Sequence, residues 1–370
     1  MGKLYLVLEN GRVFAGEGFG YPAEVVGELV FTTAMVGYLE TLTDPSFYGQ
    51  IVIQTFPLIG NYGVIPADFE SKQPCLSAYV VREWCQEPSN FRSEGDLDTF
   101  LMKNHIVGLS GIDTRALTRI IREHGVMNAK ITAKPEVTPE LLAELKAYRV
   151  EDSVRSVSCR EPKPMGEGRR VVLWDFGAKE GIRRHLLSRG CEVINMPSDA
   201  AAEAILAQQP DGIMLSNGPG DPMDNLAIVA ELRKLLTAGI PIFGICMGHQ
   251  LLALAHGAKT GKLHYGHRGA NQPVKEEATG KVYISSQNHG YAVLNDSLPE
   301  CARLSFVNAN DGTCEGVDYL DKPAFSVQFH PEAAAGPQDT AFLFDRFMDL
   351  IDVYKAKNGA QNNGQNGEGK

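Results

Sequence analysis

Nothing in this chain is arranged as a cysteine framework. Its seven cysteines, Cys75, Cys85, Cys159, Cys191, Cys246, Cys301 and Cys314, are scattered, odd in number and never spaced C-x-x-C. That excludes a disulfide scaffold and a zinc knuckle, and it fits a reducing compartment, the cytoplasm. Basic residues are in deficit too: 35 Lys and Arg stand against 45 Asp and Glu, a formal net charge of -10. A phosphate backbone needs a concentrated positive patch, so no nucleic-acid partner is expected. No apolar run approaches the roughly 18 residues that span a bilayer, and no membrane partner is expected. The start, Met1-Gly-Lys-Leu-Tyr-Leu-Val-Leu-Glu9, turns polar too soon for a signal peptide and reads as a first strand. No Walker A sequence occurs, and Gly16-Glu-Gly-Phe-Gly20 lacks the spacing of a dinucleotide loop.

What is present is ordinary for a globular protein, with 44% hydrophobic and 22% charged residues. The length suits two domains. In the first half, Leu4 to Leu8 and Arg12 to Ala15 flank Glu9-Asn10-Gly11, a hairpin signal. Glu28 to Thr33 and Gln50 to Phe56 read as further strands, and Gly37 to Tyr48 between them reads as a polar loop turning at Asp44-Pro45. Asp113 is placed to cap a helix from Thr114 to His124 that stops before Gly125. Taken alone, residues 1–155 form an α+β domain without a catalytic constellation. Residues 156–169 are rich in Pro, Gly and charge and read as a linker.

From residue 170 to 356 strands and helices alternate: Val171 to Trp174, Lys179 to Ser188, Glu192 to Asn195, then a helix from Asp199 to Gln208 with Ser198 as its cap. Gly212 to Leu215 follows, then a helix carrying Ile228, Leu232, Leu235 and Leu236, then the strand Ile240 to Ile245. This rhythm predicts an α/β fold: a carboxyl-terminal doubly wound, mostly parallel sheet preceded by the smaller α+β domain. Shorter β segments follow Gly257, and a last helix carries Phe344, Phe347, Met348 and Ile351. Residues 357–370 are Gly/Asn/Gln-rich and read as a disordered tail.

Chemistry concentrates at Pro241-Ile-Phe-Gly-Ile-Cys246-Met-Gly-His-Gln250, where an apolar strand meets a helix ending at Gly257. This is a thiol version of the G-x-S-x-G nucleophile elbow, with glycines permitting a sharp turn. The helix start offers free N–H groups and a positive dipole end to an anionic sulfur and to an oxyanion. A cysteine nucleophile needs a base and the base an orienting group. Phe329-His330-Pro331-Glu332 supplies both, because i and i+2 along an extended chain point the same way. His249 and His256 lie on the nucleophile's own helix and cannot reach back. His264 and His267 lack a third ligand in the sequence, so no metal is expected. His289 lies in Ser286-Gln-Asn-His-Gly290, a polar turn suited to binding. Asn217-Gly-Pro-Gly220 and Cys246 both fall at carboxyl ends of strands, where such sheets form their sites.

Phe243 to Gln250, Phe329 to Glu332 and Ser216-Asn-Gly-Pro-Gly-Asp221 together resemble the triad class (class I) of glutamine amidotransferases. Phe31 to Tyr38, Leu42 to Ser46, Gly60-Asn-Tyr-Gly63, Gly111 to Arg115, Trp174 to Lys179 and Ser286 to Val293 narrow the resemblance to the carbamoyl-phosphate synthase small chains. The resemblance implies that Cys246 attacks the carboxamide of L-glutamine, that His330 is general acid and then base, and that Glu332 orients His330. It implies an oxyanion hole from the N–H groups of Met247 and Gly218. It places Gln250, Asn288, Gly290, Tyr291 and Gly220 at the substrate's amino-acid end, joined by Ser46 from the first domain. The implied partner is a large chain that uses ATP and a divalent metal to make carbamoyl phosphate from bicarbonate, for arginine or pyrimidine synthesis or both. This chain itself would bind no cofactor, and the assembly would be a heterodimer or a higher oligomer of heterodimers. The competing readings are a stand-alone cysteine hydrolase, a subunit serving another synthase, and a non-catalytic interaction subunit. The complete triad speaks against the last.

Overall fold

The computed structural model of the chain describes residues 2–365, with backbone alone for 358–365. The first half is built on a closed seven-stranded barrel. Its strands are β1 (Lys3–Leu8), β2 (Val13–Gly20), β3 (Val25–Thr32), β4 (Gln50–Gln54), β5 (Ala78–Val80), β6 (Val107–Ser110) and β7 (Met127–Thr132), in the order β1-β2-β6-β5-β4-β3-β7. The expected hairpin joins β1 to β2 with Val7 opposite Val13, and Gly11 takes φ 83° in the turn. β2 runs on through the glycine-rich stretch to Gly20, where backbone pairing with β6 leaves no nucleotide loop.

Residues 37–48 depart from the expected loop. They hold helix α1 (Tyr38–Thr43) and a single 3₁₀ turn, Pro45–Phe47, whose cap is Asp44 accepting from the Ser46 N–H at 2.9 Å. The polar composition that suggested a loop is explained by side chains that turn inward: Thr43 Oγ1 donates to Leu39 O at 2.7 Å, and Asp44 and Ser46 are buried. Helix α2 (Thr114–His124) begins and ends as expected, with Asp113 accepting from the Ala116 N–H at 2.9 Å and Gly125 at its end. Its Leu117, Ile120 and Ile121 fill the barrel core.

The second half is a 10-stranded sheet. It comprises β8 (Lys163–Met165), β9 (Arg169–Asp175), β10 (Cys191–Pro197), β11 (Gly212–Leu215), β12 (Ile242–Ile245), β13 (Thr260–Glu276), β14 (Val282–Val293), β15 (Ala302–Asn308), β16 (Cys314–Tyr319) and β17 (Ala324–Val327). The order is β8-β10-β9-β11-β12-β17-β16-β15-β13-β14. The centre, β10-β9-β11-β12-β17, is parallel, and the remaining strands add on antiparallel. Helices α3 (Glu180–Leu187), α4 (Ala202–Leu206), α5 (Leu226–Leu236), α6 (Met247–Ala255) and α7 (Phe342–Gln365) cover it. Two apolar clusters result, one against α5 and α6 and the other against α3 and α7.

Three further differences from the sequence reading have local causes. The stretch read as a linker contributes β8, which pairs with β10 as the sheet's edge strand and so satisfies the outer backbone of β10. The helix expected from Asp199 starts at Ala202, with Ala201 as a cap that makes no side-chain hydrogen bond. Ser198 instead donates its backbone N–H to Ser158 Oγ at 2.9 Å. Helix α7 runs to Gln365, inside the tail read as disordered, because an established helix propagates at one hydrogen bond per residue fixed. The rest of that tail, 366–370, lies outside the described residues. Among the described residues no helix is long and apolar enough to cross a membrane.

Candidate active site

Strand β12 ends at Ile245, and α6 starts at Met247. Cys246 alone makes the turn, at φ 53° and ψ -102°. A non-glycine residue held there stores about 1–3 kcal/mol of strain and persists only where the surroundings fix it. Here the Cys246 N–H is held by Val327 O at 2.9 Å and its carbonyl by the Gln250 N–H at 3.1 Å. The flanking glycines have a different task from the one expected of them. Neither takes a positive φ. A Cβ on Gly248 would strike the Leu215 carbonyl, and one on Gly244 would lie 2.8 Å from the Gly248 carbonyl carbon. They let helix and strand approach closely, while the cysteine bears the strain.

His330 and Glu332 arrive from the loop beyond β17. The strand does not continue through them. His330 is fixed instead by a bridge to Ser286, its N–H donating to Ser286 O at 2.9 Å. His330 Nδ1 lies 2.6 Å from Glu332 Oε1, both side chains fully buried. His330 Nε2 is buried with no hydrogen-bond partner among the described residues, and the Cys246 thiol rests on Asn288 O at 3.8 Å. Such open contacts are common in unliganded sites and close on substrate. Burial and the Lys179 ammonium push His330 down, but the Glu332 carboxylate and the Cys246 sulfur outweigh them and lift it to about 10. For Glu332, burial acts upward, and His330 and Lys179 hold it below the usual carboxylate range.

Lys179 was not singled out from the sequence, yet it touches the dyad. Its buried Nζ lies 3.4 Å from His330 Nδ1, 3.7 Å from Glu332 Oε1 and 3.2 Å from Asp44 Oδ2. Asp44, from the first domain, also accepts from Asn288 Nδ2 at 3.0 Å. Burial would raise the Asp44 carboxyl, but Lys179 and His330 hold it low. A buried charge network thus crosses between the domains. The signals for it were a lysine beside a β-strand end and an Asp-Pro read as a turn, neither of which announces a partner.

The substrate residues expected from the sequence converge. Ser46, Gly218, Gly220, Gln250, Asn288, Gly290, Tyr291 and Cys246 line one cleft of about 810 Å³ between the domains. Met247 is buried behind it. Ser46 Oγ accepts from Asn217 Nδ2 at 3.0 Å, so the first domain is tied to the loop bearing Gly218. Gln250 Nε2 donates to Tyr291 O at 2.8 Å and to Gln328 Oε1 at 3.0 Å, which orients its amide. Among the described residues, the N–H groups of Met247 and Gly218 donate no hydrogen bond, as an oxyanion hole requires. Ser286 to Gly290 is not a turn. It is the middle of β14, with Ser285, Gln287 and His289 facing inward and Ser286, Asn288 and Gly290 alternating with them.

His249 behaves as a core residue. It is fully buried, its Nδ1 is 2.8 Å from Ser326 Oγ, and burial pushes it down to about 3. A histidine whose folded value is depressed keeps its stabilising effect above the unfolded value near 6.5 and loses it as pH falls toward 3. The expected slope for this group is about 1.4 kcal/mol per pH unit. Thermal melts of a His249→Asn chain between pH 7 and 4 should fall less steeply than the parent's; parallel curves would show that this group does not carry the slope.

Comparisons with known proteins agree on both halves. A family model described as the CPSase domain of the carbamoyl-phosphate synthase small chain matches residues 6–131, and one for class-I glutamine amidotransferases matches residues 172–350. The carbamoyl phosphate synthase small chain of Symbiobacterium thermophilum is 51% identical over 354 residues, covering 93% of this chain and 98% of that one. That of Bacillus anthracis is 51% identical over 355 residues, with coverages of 95% and 97%. That of Clostridium perfringens is 50% identical over 347 residues, with coverages of 94% and 99%.

Proposed function

This chain belongs to the carbamoyl phosphate synthase small-chain family, and on that premise we propose that Cys246, His330 and Glu332 are the triad with which it hydrolyses glutamine. It is the glutamine-hydrolysing subunit of the synthase. The observation that carries the residue assignment is the buried His330–Glu332 contact of 2.6 Å beside a cysteine held at the positive-φ elbow.

The Cys246 thiolate adds to the carboxamide carbon of glutamine, and the N–H groups of Met247 and Gly218 receive the oxyanion. Losing one such donor would cost on the order of 10²-fold in rate. His330, protonated under the pull of Glu332, gives its Nε2 proton to the departing nitrogen, and ammonia leaves with cleavage of the C–N bond. The resulting γ-glutamyl thioester is then attacked by water, which His330 deprotonates, and glutamate and thiolate are released. Gln250, Asn288, Gly290, Tyr291, Gly220 and Ser46 hold the amino-acid end. Because Ser46 and Asp44 come from the barrel domain, the pocket is complete only with both halves in contact.

The family implies a large-chain partner for the ammonia. We assign ATP and its divalent metal to that partner, with the pair a heterodimer or an oligomer of heterodimers. The seven cysteines, all unpaired, support a cytoplasmic setting. The test is a paired assay: glutamine hydrolysis by this chain alone, and ATP-dependent carbamoyl phosphate formation when the large chain is added. Hydrolysis that no large chain couples to carbamoyl phosphate would leave the triad standing and remove the acceptor.

A glutamine analogue with an electrophilic side chain should label Cys246 and spare Cys75, Cys159, Cys191 and Cys314. Burial pushes the thiols of Cys75 and Cys191 up to about 11 and those of Cys159 and Cys314 to about 12, and only a thiolate reacts. Peptide mass spectrometry showing equal labelling at Cys75 or Cys191 would contradict the assignment.

A further inference from the structure

The inward face of β14 carries a second constellation, separate from the triad. His289 sits between Asn288 and Gly290 along the cleft, and its buried imidazole meets His267 from β13 and Glu315 from β16. The ligand-capable atoms of these three side chains all lie within 4.8 Å of one another, and all three residues are buried. His267 Nδ1 is 3.3 Å from Glu315 Oε1, and His289 Nε2 is 3.8 Å from the same oxygen. The imidazole rings stand at 86° with centroids 4.9 Å apart.

Each imidazole has its outer nitrogen already committed. His289 Nδ1 lies 2.8 Å from Tyr291 O, and His267 Nε2 lies 2.8 Å from Asp311 Oδ2. Those contacts put the N–H on the outer nitrogens and leave lone pairs on the inner ones. Asn308 Nδ2 reinforces this at His267, at 3.4 Å from Nδ1 and 3.3 Å from Glu315 Oε1. His289 Nε2 also faces an acceptor, Gln287 Oε1, at 3.2 Å. Lone pairs of two imidazoles and a carboxylate therefore converge within 4.8 Å of one another, with an amide oxygen beside one of them. The second carboxylate oxygen, Glu315 Oε2, is buried and has no hydrogen-bond partner among the described residues, a costly arrangement unless something positive sits there.

We propose that His267, His289 and Glu315 form a binding site for a divalent transition-metal cation of the zinc type. Two histidines and one carboxylate are a recurrent ligand set for such ions, and a tetrahedral ion with bonds of about 2.0–2.1 Å separates its ligands by roughly 3.4 Å. The carboxylate and the carbonyl behind the two imidazoles are the outer contacts that orient metal-bound histidines. Asp311, with a side chain 47% exposed, sits at the rim and gives the ion a way in. The sequence could not show this set, because Glu315 lies far along the chain from both histidines. The ion would tie β14 to its neighbours β13 and β16 beside Asn288 and Gly290, making it a positioning element for them that touches no reacting atom.

The test uses the full-length chain without an affinity tag, stripped with a chelator and titrated with Co²⁺ and then Zn²⁺. The expected result is one Co²⁺ per chain with visible d–d bands, displaced by one Zn²⁺. The metal should raise the melting temperature and lower the glutamine KM with little change in kcat. Glu315→Gln should abolish the bands, and Asp311→Asn should weaken binding by about 10- to 100-fold. A stripped parent chain that is folded, turns over glutamine and takes up far less than one Co²⁺ would overturn the proposal. So would equal binding in the Glu315→Gln chain. A proton shared between His267 and Glu315 would then be what fills the gap.

Discussion

A Cys246→Ala chain folds like its parent and hydrolyses glutamine about 10⁴-fold more slowly or worse. The change removes one sulfur atom. It leaves the backbone bonds that hold the elbow, from the Cys246 N–H to Val327 O and from the Gln250 N–H to the Cys246 carbonyl. Alanine meets the same positive φ with a Cβ of the same size, so the strain is unchanged. The pocket for the amino-acid end is built from other residues and should bind glutamine as before. What remains is the residual effect of the N–H donors and of substrate positioning. A steady-state assay with a binding measurement on the same sample separates these outcomes. Turnover near the parent's rate would remove Cys246 from the mechanism.

The second large effect is expected from His330→Asn, with kcat down by about 10³- to 10⁴-fold and glutamine KM little changed. His330 is needed twice, as acid for ammonia and as base for water. It does not line the cleft that holds the amino-acid end. The variant leaves one cation for two buried carboxylates, with Lys179 3.2 Å from Asp44 Oδ2 and 3.7 Å from Glu332 Oε1, so it should fold with a lower melting temperature than the parent. A pH signature accompanies the loss. The parent's His330 is lifted to about 10 from an ordinary histidine value near 6.5, so its stabilising effect is complete below 6.5 and disappears as pH rises through 10. Melts at pH 7 and pH 10 should therefore differ more in the parent than in the variant. An unchanged kcat, or an equal loss through KM, would contradict the role.

The parts legible in the sequence were those set by neighbours along the chain. The Asn10-Gly11 hairpin, the helix from Asp113 to Gly125 and the strand–Cys246–helix elbow each carry their own turn or cap chemistry, so local reading found them. His330-Pro331-Glu332 was legible because two residues' separation brings the carboxylate to the imidazole, even though the strand had already ended. Lys179, Asp44 and Gln328 were not legible. Each gains its meaning from a partner far along the chain, 78 residues away for Gln328 and more than a hundred for Lys179 and Asp44, and a single charged or amide residue gives no sign of that. Strand β14 was misread at Ser286 to Gly290 for a related reason. Its inward positions Ser285, Gln287 and His289 are polar and pair with one another and with β16, so the apolar alternation that marks a strand is missing where the site needs hydrogen bonds. The glycines of the elbow show the opposite case: the right residues for the motif, with a physical task that only the packing against Leu215 reveals.

The most direct test of the central claim is to quench the chain with acid during turnover of isotopically labelled glutamine and map the label by peptide mass spectrometry. A γ-glutamyl group on the peptide carrying Cys246, absent from the Cys246→Ala chain, is the predicted result. Steady glutamine hydrolysis with no label on that peptide, or label that persists without Cys246, would contradict it.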